Sequence, residues 1–143
     1  MSNNFQDALS KPYKLIENTI IDDTSGRIVV YNDFAKFPFT PKRFFTVMSS
    51  GANVIRGAHA HKICEQILFA IEGSIELKID DGKDIHEINL NFGSQAVYIP
   101  KMLWSEQRYL SDYSILGVFA SETYNEEEYI REYDIFKKMI TGK

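Results

Sequence analysis

Up to Ala120 the chain is cut into short β-type runs by turn-forming residues at fairly even intervals, and no other feature constrains the fold as tightly. Residues 15–21 lead into the turn signal Asp22-Asp23-Thr24-Ser25-Gly26, and residues 27–31 follow, rich in Ile and Val. Phe37-Pro38-Phe39-Thr40-Pro41 reads as an extended connection, because each proline disfavours helix in the residue before it. Residues 43–48 predict a strand, and 66–71 and 74–79 predict two more across a bend at Gly73. Asp80-Asp81-Gly82-Lys83 is a hairpin signal, since Asp-Gly accepts positive φ at low cost, and Ile85, Ile88 and Leu90 continue beyond it. Residues 96–99 and 113–120 complete a set of eight or more short strands. The pattern favours an antiparallel barrel or sandwich over a parallel βαβ sheet.

The remaining residues change character. Asn125 is placed as an N-cap, Glu126, Glu127 and Glu128 fill the first turn, and Lys137 and Lys138 stand near the end. Both charge placements suit a helix macrodipole. Tyr129, Tyr133, Phe136 and Ile140 recur at spacings of three and four, which predicts a C-terminal α-helix packing an aromatic stripe onto the sheet. The glutamates are expected to form its solvated first turn.

Composition sets the outer limits. A chain of 143 residues that is 44% hydrophobic suits one domain over 1–143 with a real core, and excludes a disordered or collagen-like chain. The net charge of −4 gives no electrostatic reason to expect nucleic acid or an anionic membrane as partner. No apolar run approaches the roughly 18 residues of a membrane span. Residues 1–10 carry no basic-then-apolar leader pattern, which points to the cytoplasm. The single cysteine, Cys64, excludes an intrachain disulfide framework and fits a reducing compartment.

Two of the three histidines sit in one tripeptide, His59-Ala60-His61, close behind Arg56. On a strand, residues two apart share a face, so the two imidazoles project into the same space. Paired imidazoles titrating near neutrality suit either metal ligation or proton transfer. His86, between Ile85 and Glu87, reads as a surface residue without a role.

His-x-His, then Gln66 and Gly73 at their spacing, resembles the first sequence motif of the cupin superfamily, in which a glutamate normally stands at the Gln66 position. The second cupin motif is recognisable between Gly93 and Ser105, with Pro100 at its proline, but its histidine position falls near Ser105. Glu65, by strand alternation, points away from the Gln66 side. Two imidazoles, an amide and a hydroxyl make a poor set for a divalent ion. The expectation is that no metal and no cofactor is bound.

Within the cupins the chain resembles the dTDP-sugar 3,4-ketoisomerases. The resemblance runs through Pro38-Phe39, Lys42-Arg43, Arg56-Gly57-Ala58-His59-Ala60-His61-Lys62, Glu65-Gln66, Gly73-Ser74 and Asp80-Asp81-Gly82. It continues in Tyr98, Trp104, Val118-Phe119-Ala120-Ser121, Tyr124, Tyr129-Ile130-Arg131, Tyr133-Asp134 and Phe136. It implies a cupin-type jelly-roll barrel with a C-terminal helix, acting on dTDP-4-keto-6-deoxyglucose. The carbonyl would move from C4 to C3 through an enediol(ate), toward a 3-amino-3,6-dideoxysugar for a surface polysaccharide or a glycosylated product. His59 and His61 would divide or share the proton transfers. Arg43 and Arg56 are candidates for the oxyanion or diphosphate, Gln66 for a sugar hydroxyl, and Tyr98 and Trp104 for the pocket lining. The resemblance also implies a homodimer, often with an exchanged N-terminal strand. The chain departs from the group where paired tyrosines often follow the arginine matching Arg43, for here Phe44-Phe45-Thr46 follow. Two other readings compete: a nucleotide-sugar epimerase on the same scaffold, and a non-catalytic sugar-nucleotide-binding cupin that would have no need of the histidine pair.

Overall fold

The computed structural model describes residues 11–142. The stretch 1–10, where no leader pattern was expected, lies outside the described residues. The strands run β1 (Lys14–Ile16), β2 (Thr19–Asp23), β3 (Gly26–Val30), β4 (Arg43–Met48), β5 (Val54–His61) and β6 (Gln66–Glu72). They continue as β7 (Ser74–Asp80), β8 (Ile85–Asn91), β9 (Ala96–Ile99), β10 (Trp104–Tyr109), β11 (Ile115–Ala120) and β12 (Tyr129–Ile130), before the helix α1 (Tyr133–Thr141).

Alternation along these strands sorts them into two layers. In β7, Ile75, Leu77 and Ile79 are fully buried while their neighbours Ser74, Glu76 and Lys78 are only partly so, giving one apolar face. One sheet has the order β1-β9-β6-β11-β4 and the other β12-β5-β10-β7-β8, with every neighbouring pair antiparallel. Leu68, Ile99 and Val118 of the first sheet meet Ile75, Leu77 and Leu90 of the second in the main core. The result is the all-β jelly roll expected of a cupin, hydrogen-bonded as two facing sheets rather than as one closed barrel. β2 and β3 form a separate hairpin.

Several elements differ from expectation for identifiable reasons. The run 15–21 breaks at Glu17-Asn18, where the Asn18 side chain donates to the Ser94 carbonyl at 2.8 Å and the chain leaves the sheet for the β2–β3 hairpin. Tyr113 is not in a strand, since its φ is +61°. β10 has no apolar-alternating signature because its inward residues, Ser105 and Gln107, are polar and buried. The histidine strand β5 does not run straight into β6: residues 62–65 carry the chain from one sheet to the other. His86 is half-buried rather than at the surface, paired with Asp81 at 3.2 Å and set edge-on to Tyr13.

The C-terminal helix begins later than its periodicity suggests. Asn125 does cap a turn, its Oδ1 accepting from Glu127 N at 3.1 Å, but the turn is the short 3-10 segment Glu126–Glu128. The chain then pairs with β5 through Tyr129 and Ile130, and α1 starts only at Tyr133. Backbone pairing to an open sheet edge claims the donors and acceptors that a continuous helix would use internally. Tyr129 is therefore not on the helical stripe, and Glu128 is buried rather than solvated. Phe136 does anchor α1, in a cluster with Ala60, Trp104 and Ile130.

Candidate active site

A cavity of about 430 Å³ opens between the sheets, within the roughly 300–1,000 Å³ usual for small-molecule sites. Its two walls differ in chemistry. The β6-β11-β4 wall is apolar, formed by Phe45, Val47, Leu68, Leu116 and Val118, with Gln66 as its one amide. The opposite wall is polar, with Arg56 and His59 from β5 and Gln107 and Tyr109 from β10. Ile55 and Gly57 of β5, with Tyr129 and Arg131, complete the lining.

A β-bulge sets the polar wall. Arg56 and His59 are three residues apart, so simple alternation would turn them to opposite faces. In the register, Ser105 pairs with His59 and the next residue, Glu106, pairs with Gly57, which leaves Ala58 as the extra residue. Gly57 and Ala58 both have positive φ, +82° and +58°. Glycine is favoured at 57 by its φ of +82°, and a Cβ there would displace the Gln107 amide, whose Oε1 would lie 2.6 Å away. The bulge brings Arg56 onto the cavity side with His59.

The two imidazoles meet nearly edge to face, with centroids 4.9 Å apart and planes at 87°. The Tyr129 ring packs on both, at 5.1 Å from His59 and 4.5 Å from His61. Burial, then the neighbouring His61, pull the His59 pKa down to about 4. Burial also lowers that of His61, opposed by the hydrogen bond and charge of Glu128 and assisted by the charges of Arg43 and Arg131. His61 Nδ1 lies 2.5 Å from Glu128 Oε1, while Glu128 Oε2 accepts from the backbone N–H of Ile63 and Cys64 at 3.1 and 3.2 Å. Among the described residues, the buried side-chain polar atoms without a protein partner are Arg43 Nε, His59 Nδ1, His61 Nε2 and Tyr109 Oη. Tyr109, its phenol pushed up to about 12 by burial, is itself a lining residue.

The expected site residues divide into three groups. Arg56, His59 and Gln66 line the cavity, but Gln66 faces the histidines from the opposite sheet instead of sharing their strand face. His61 and Arg43 stand just behind the lining. The Arg43 guanidinium lies 5.1 Å from the Phe45 ring centre and 5.8 Å from that of Tyr124. Tyr98 and Trp104 are not brought into the cavity lining, and here the structure corrects the expectation. Tyr98 is buried on the outer face of its sheet with Phe37, Ile67 and Ala96, and its hydroxyl donates to Glu65. Strand parity explains this, because Val97 and Ile99 take the core-facing positions of β9. Trp104 packs edge-on to Tyr133, 5.4 Å away, in the cluster that seats α1.

Sequence reasoning did not single out Gln107, Tyr109 or Arg131 as site residues, nor Glu128. Gln107 and Tyr109 lie on a strand without apolar alternation, and Glu128 meets His61 across 67 positions of chain, which no local spacing encodes. Tyr129 and Arg131 fell within the closing block of the family resemblance, the one signal that marked them.

The cupin metal positions do not fit a divalent ion. Gln66 and Ser105 offer neutral oxygens, and Ser105 Oγ already accepts from Gln107 Nε2 at 3.4 Å. A second group, His61, Cys64 and Glu128, has donor atoms within 4.8 Å of one another. Both Glu128 oxygens there are already engaged by hydrogen bonds. The donor sets suit hydrogen bonding better than a metal.

Fold and site together define a small cupin-type jelly roll whose inter-sheet cavity is lined by His59, Arg56 and Arg131, with His61 in ring contact behind His59. The chain belongs to the family described as "FdtA: WxcM-like, C-terminal", which it matches over residues 11–141. It is 36% identical over 127 residues to the TDP-4-oxo-6-deoxy-alpha-D-glucose-3,4-oxoisomerase of Aneurinibacillus thermoaerophilus, covering 89% of this chain and 91% of that protein. A 3,4-ketoisomerase from Helicobacter canadensis superposes with a TM-score of 0.82 at 37% identity, over 90% of this chain and 96% of that one. The sugar 3,4-ketoisomerase QdtA from Thermoanaerobacterium thermosaccharolyticum, solved in complex with TDP, gives a TM-score of 0.85 at 28% identity, over 93% and 97% of the chains.

Proposed function

We propose that this protein is a 3,4-ketoisomerase converting a TDP-linked 4-keto-6-deoxyhexose to its 3-keto isomer, with His59 and His61 carrying the protons. The observation that carries this reading is the imidazole pair, His59 lining the cavity and His61 in ring contact behind it, with proton affinities lowered by burial. Both rings are neutral at neutral pH and so ready to accept a proton.

The reaction needs no external oxidant. The ketone at C4 acidifies the C3 hydrogen, and a base removes that proton to leave an enediolate. A proton then returns to C4, while the hydrogen of the C3 hydroxyl passes to the C4 oxygen, so that C3 becomes the ketone and C4 the alcohol. C3 is oxidised and C4 reduced within one molecule, so two proton-handling groups suffice. Arg56, on the bulge beside His59, is positioned to stabilise the enediolate oxygen or the diphosphate, and Arg43, whose charge acts on His61, is a second candidate. Gln66, across the cavity, can hold a sugar hydroxyl from the face opposite the imidazoles. Phe45, where related chains often carry a tyrosine, gives the apolar wall no hydroxyl at that point.

Surface and composition support a reading of assembly and location. Phe34 and Phe44 are about half exposed on the outer face of the first sheet, in ring contact with Phe37, Phe69 and Phe119. An apolar face of this kind supports a homodimer. Among the described residues no helix is long and apolar enough to cross a membrane. The buried free thiol of Cys64 fits the reducing cytoplasm.

Incubation with TDP-4-keto-6-deoxyglucose in deuterated buffer, followed by NMR, tests the reaction directly. The expected product is the 3-keto sugar with solvent deuterium at C4. Deuterium at C5 without a carbonyl shift indicates an epimerase instead, and an unchanged sugar indicates a binding protein. His59→Asn and His61→Asn are each expected to cut kcat by at least about 100-fold with the fold intact. Wild-type turnover in both would remove the histidines from the mechanism.

A further inference from the structure

We propose that Glu128 is a positioning residue for the isomerisation: its carboxylate holds His61 with the hydrogen on Nδ1, so that Nε2 is the atom left to exchange protons. The inference rests on the ketoisomerase reading and adds a residue to its machinery. An ionised carboxylate only accepts hydrogen bonds, so the hydrogen in the 2.5 Å contact must come from His61 Nδ1. The other ring nitrogen, Nε2, is buried and has no protein partner. A neutral imidazole of that tautomer carries its basic lone pair on Nε2.

The surroundings keep Glu128 charged and still. Burial alone would raise its carboxyl, but the His61 hydrogen bond and the Cys64 and Ile63 amides outweigh this and hold it below the usual range. Its own backbone is pinned as well: the Glu128 carbonyl accepts from Lys62 N at 2.8 Å, and Tyr129 pairs with His61 in the β12–β5 register. Glu128 therefore fastens the crossover 62–65, whose two ends carry the histidine pair and Gln66. A solvated turn would need none of these contacts. Around His61, Glu128 is the group that favours the imidazolium, whereas burial and the charges of Arg43 from β4 and Arg131 beyond β12 disfavour it; the neighbouring ring of β5 is His59. Cys64 lies beside it and the Tyr129 ring covers it.

The test compares wild type with E128Q and E128D. Glutamine preserves size, but with its oxygen on the Ile63 and Cys64 amides its NH2 faces His61 and imposes the opposite tautomer. The expected result is a kcat lowered by at least about 100-fold, with KM and TDP affinity within about threefold of wild type. The acid limb of the kcat profile should move to lower pH, since the charge favouring His61 protonation is gone. E128D, which keeps the carboxylate, should recover part of the loss. Imidazole 15N NMR should show His61 protonated on Nδ1 in wild type and on Nε2 in E128Q. A kcat within threefold of wild type in E128Q overturns the proposal, as does a loss of TDP binding in step with kcat. If E128Q does not fold, the wild-type spectrum decides, and an Nε2–H tautomer there overturns it. Should wild type fail to form the 3-keto sugar, the functional reading falls, while the tautomer measurement still judges what Glu128 does to His61.

Discussion

His59 stays mostly neutral well below its ordinary pKa of 6.5 and takes up its proton only as pH nears the value of about 4 imposed by burial. In that window the unfolded chain binds a proton that the folded chain does not, so stability falls as pH drops from 6.5 toward 4. The depression at His61 acts in the same direction. Thermal denaturation from pH 7 to pH 5 should show Tm decreasing, and His59→Asn should flatten the curve; an unchanged slope would mean that this imidazole is not desolvated. Gly57 is a second residue with a measurable role. Its φ of +82° and the 2.6 Å approach of Gln107 make Gly57→Ala costly, about 1–3 kcal/mol, with kcat reduced because Arg56 and His59 lose their common face. A urea midpoint equal to that of wild type would show that the bulge tolerates a side chain. The His-x-His spacing was legible in the sequence because strand alternation is local. The place of Arg56 was not, because a bulge depends on the partner strand β10, and Tyr98 fell on the wrong face of β9 for want of a known register.

At the scale of elements, the polar strands were the hardest to read. β5 and β10 turn Arg56, His59, Ser105 and Gln107 inward, reversing the apolar-in rule by which strands are recognised. β7, with its three isoleucine and leucine positions inward, follows that rule and was read within one residue of its end. The C-terminal segment shows the same division. Its caps and stripe were legible as helix chemistry, while the pairing of Tyr129 and Ile130 to β5 is a tertiary event. α1 depends on that event, because Phe136 is fully buried against Ala60, Trp104 and Ile130. Phe136→Ala should cost about 3–5 kcal/mol and release α1 first. Hydrogen exchange should show α1 amides losing protection while β6 and β11 keep theirs; intact α1 protection would refute this anchoring.

For the whole molecule, the open question is what covers the outer aromatic face. Phe44 rises from a sheet whose opposite side lines the cavity, Phe34 stacks on Phe37 beside it, and both stay about half exposed among the described residues. The homodimer reading predicts that the protein elutes at twice its 16.5 kDa mass, and that Phe44→Glu returns it to a monomer. Elution of wild type at the single-chain mass would rule out this use of the face. The sequence by itself determined the fold class, the family and the histidine pair, since turn spacing, side-chain period and a contiguous motif all act over a few residues. Only the tertiary structure decided that Gln66 faces the histidines from the opposite sheet, that Trp104 seats a helix, and that Glu128 meets His61. Those outcomes depend on which strands become neighbours, and that is settled by burying both sheets at once rather than by any local stretch of chain.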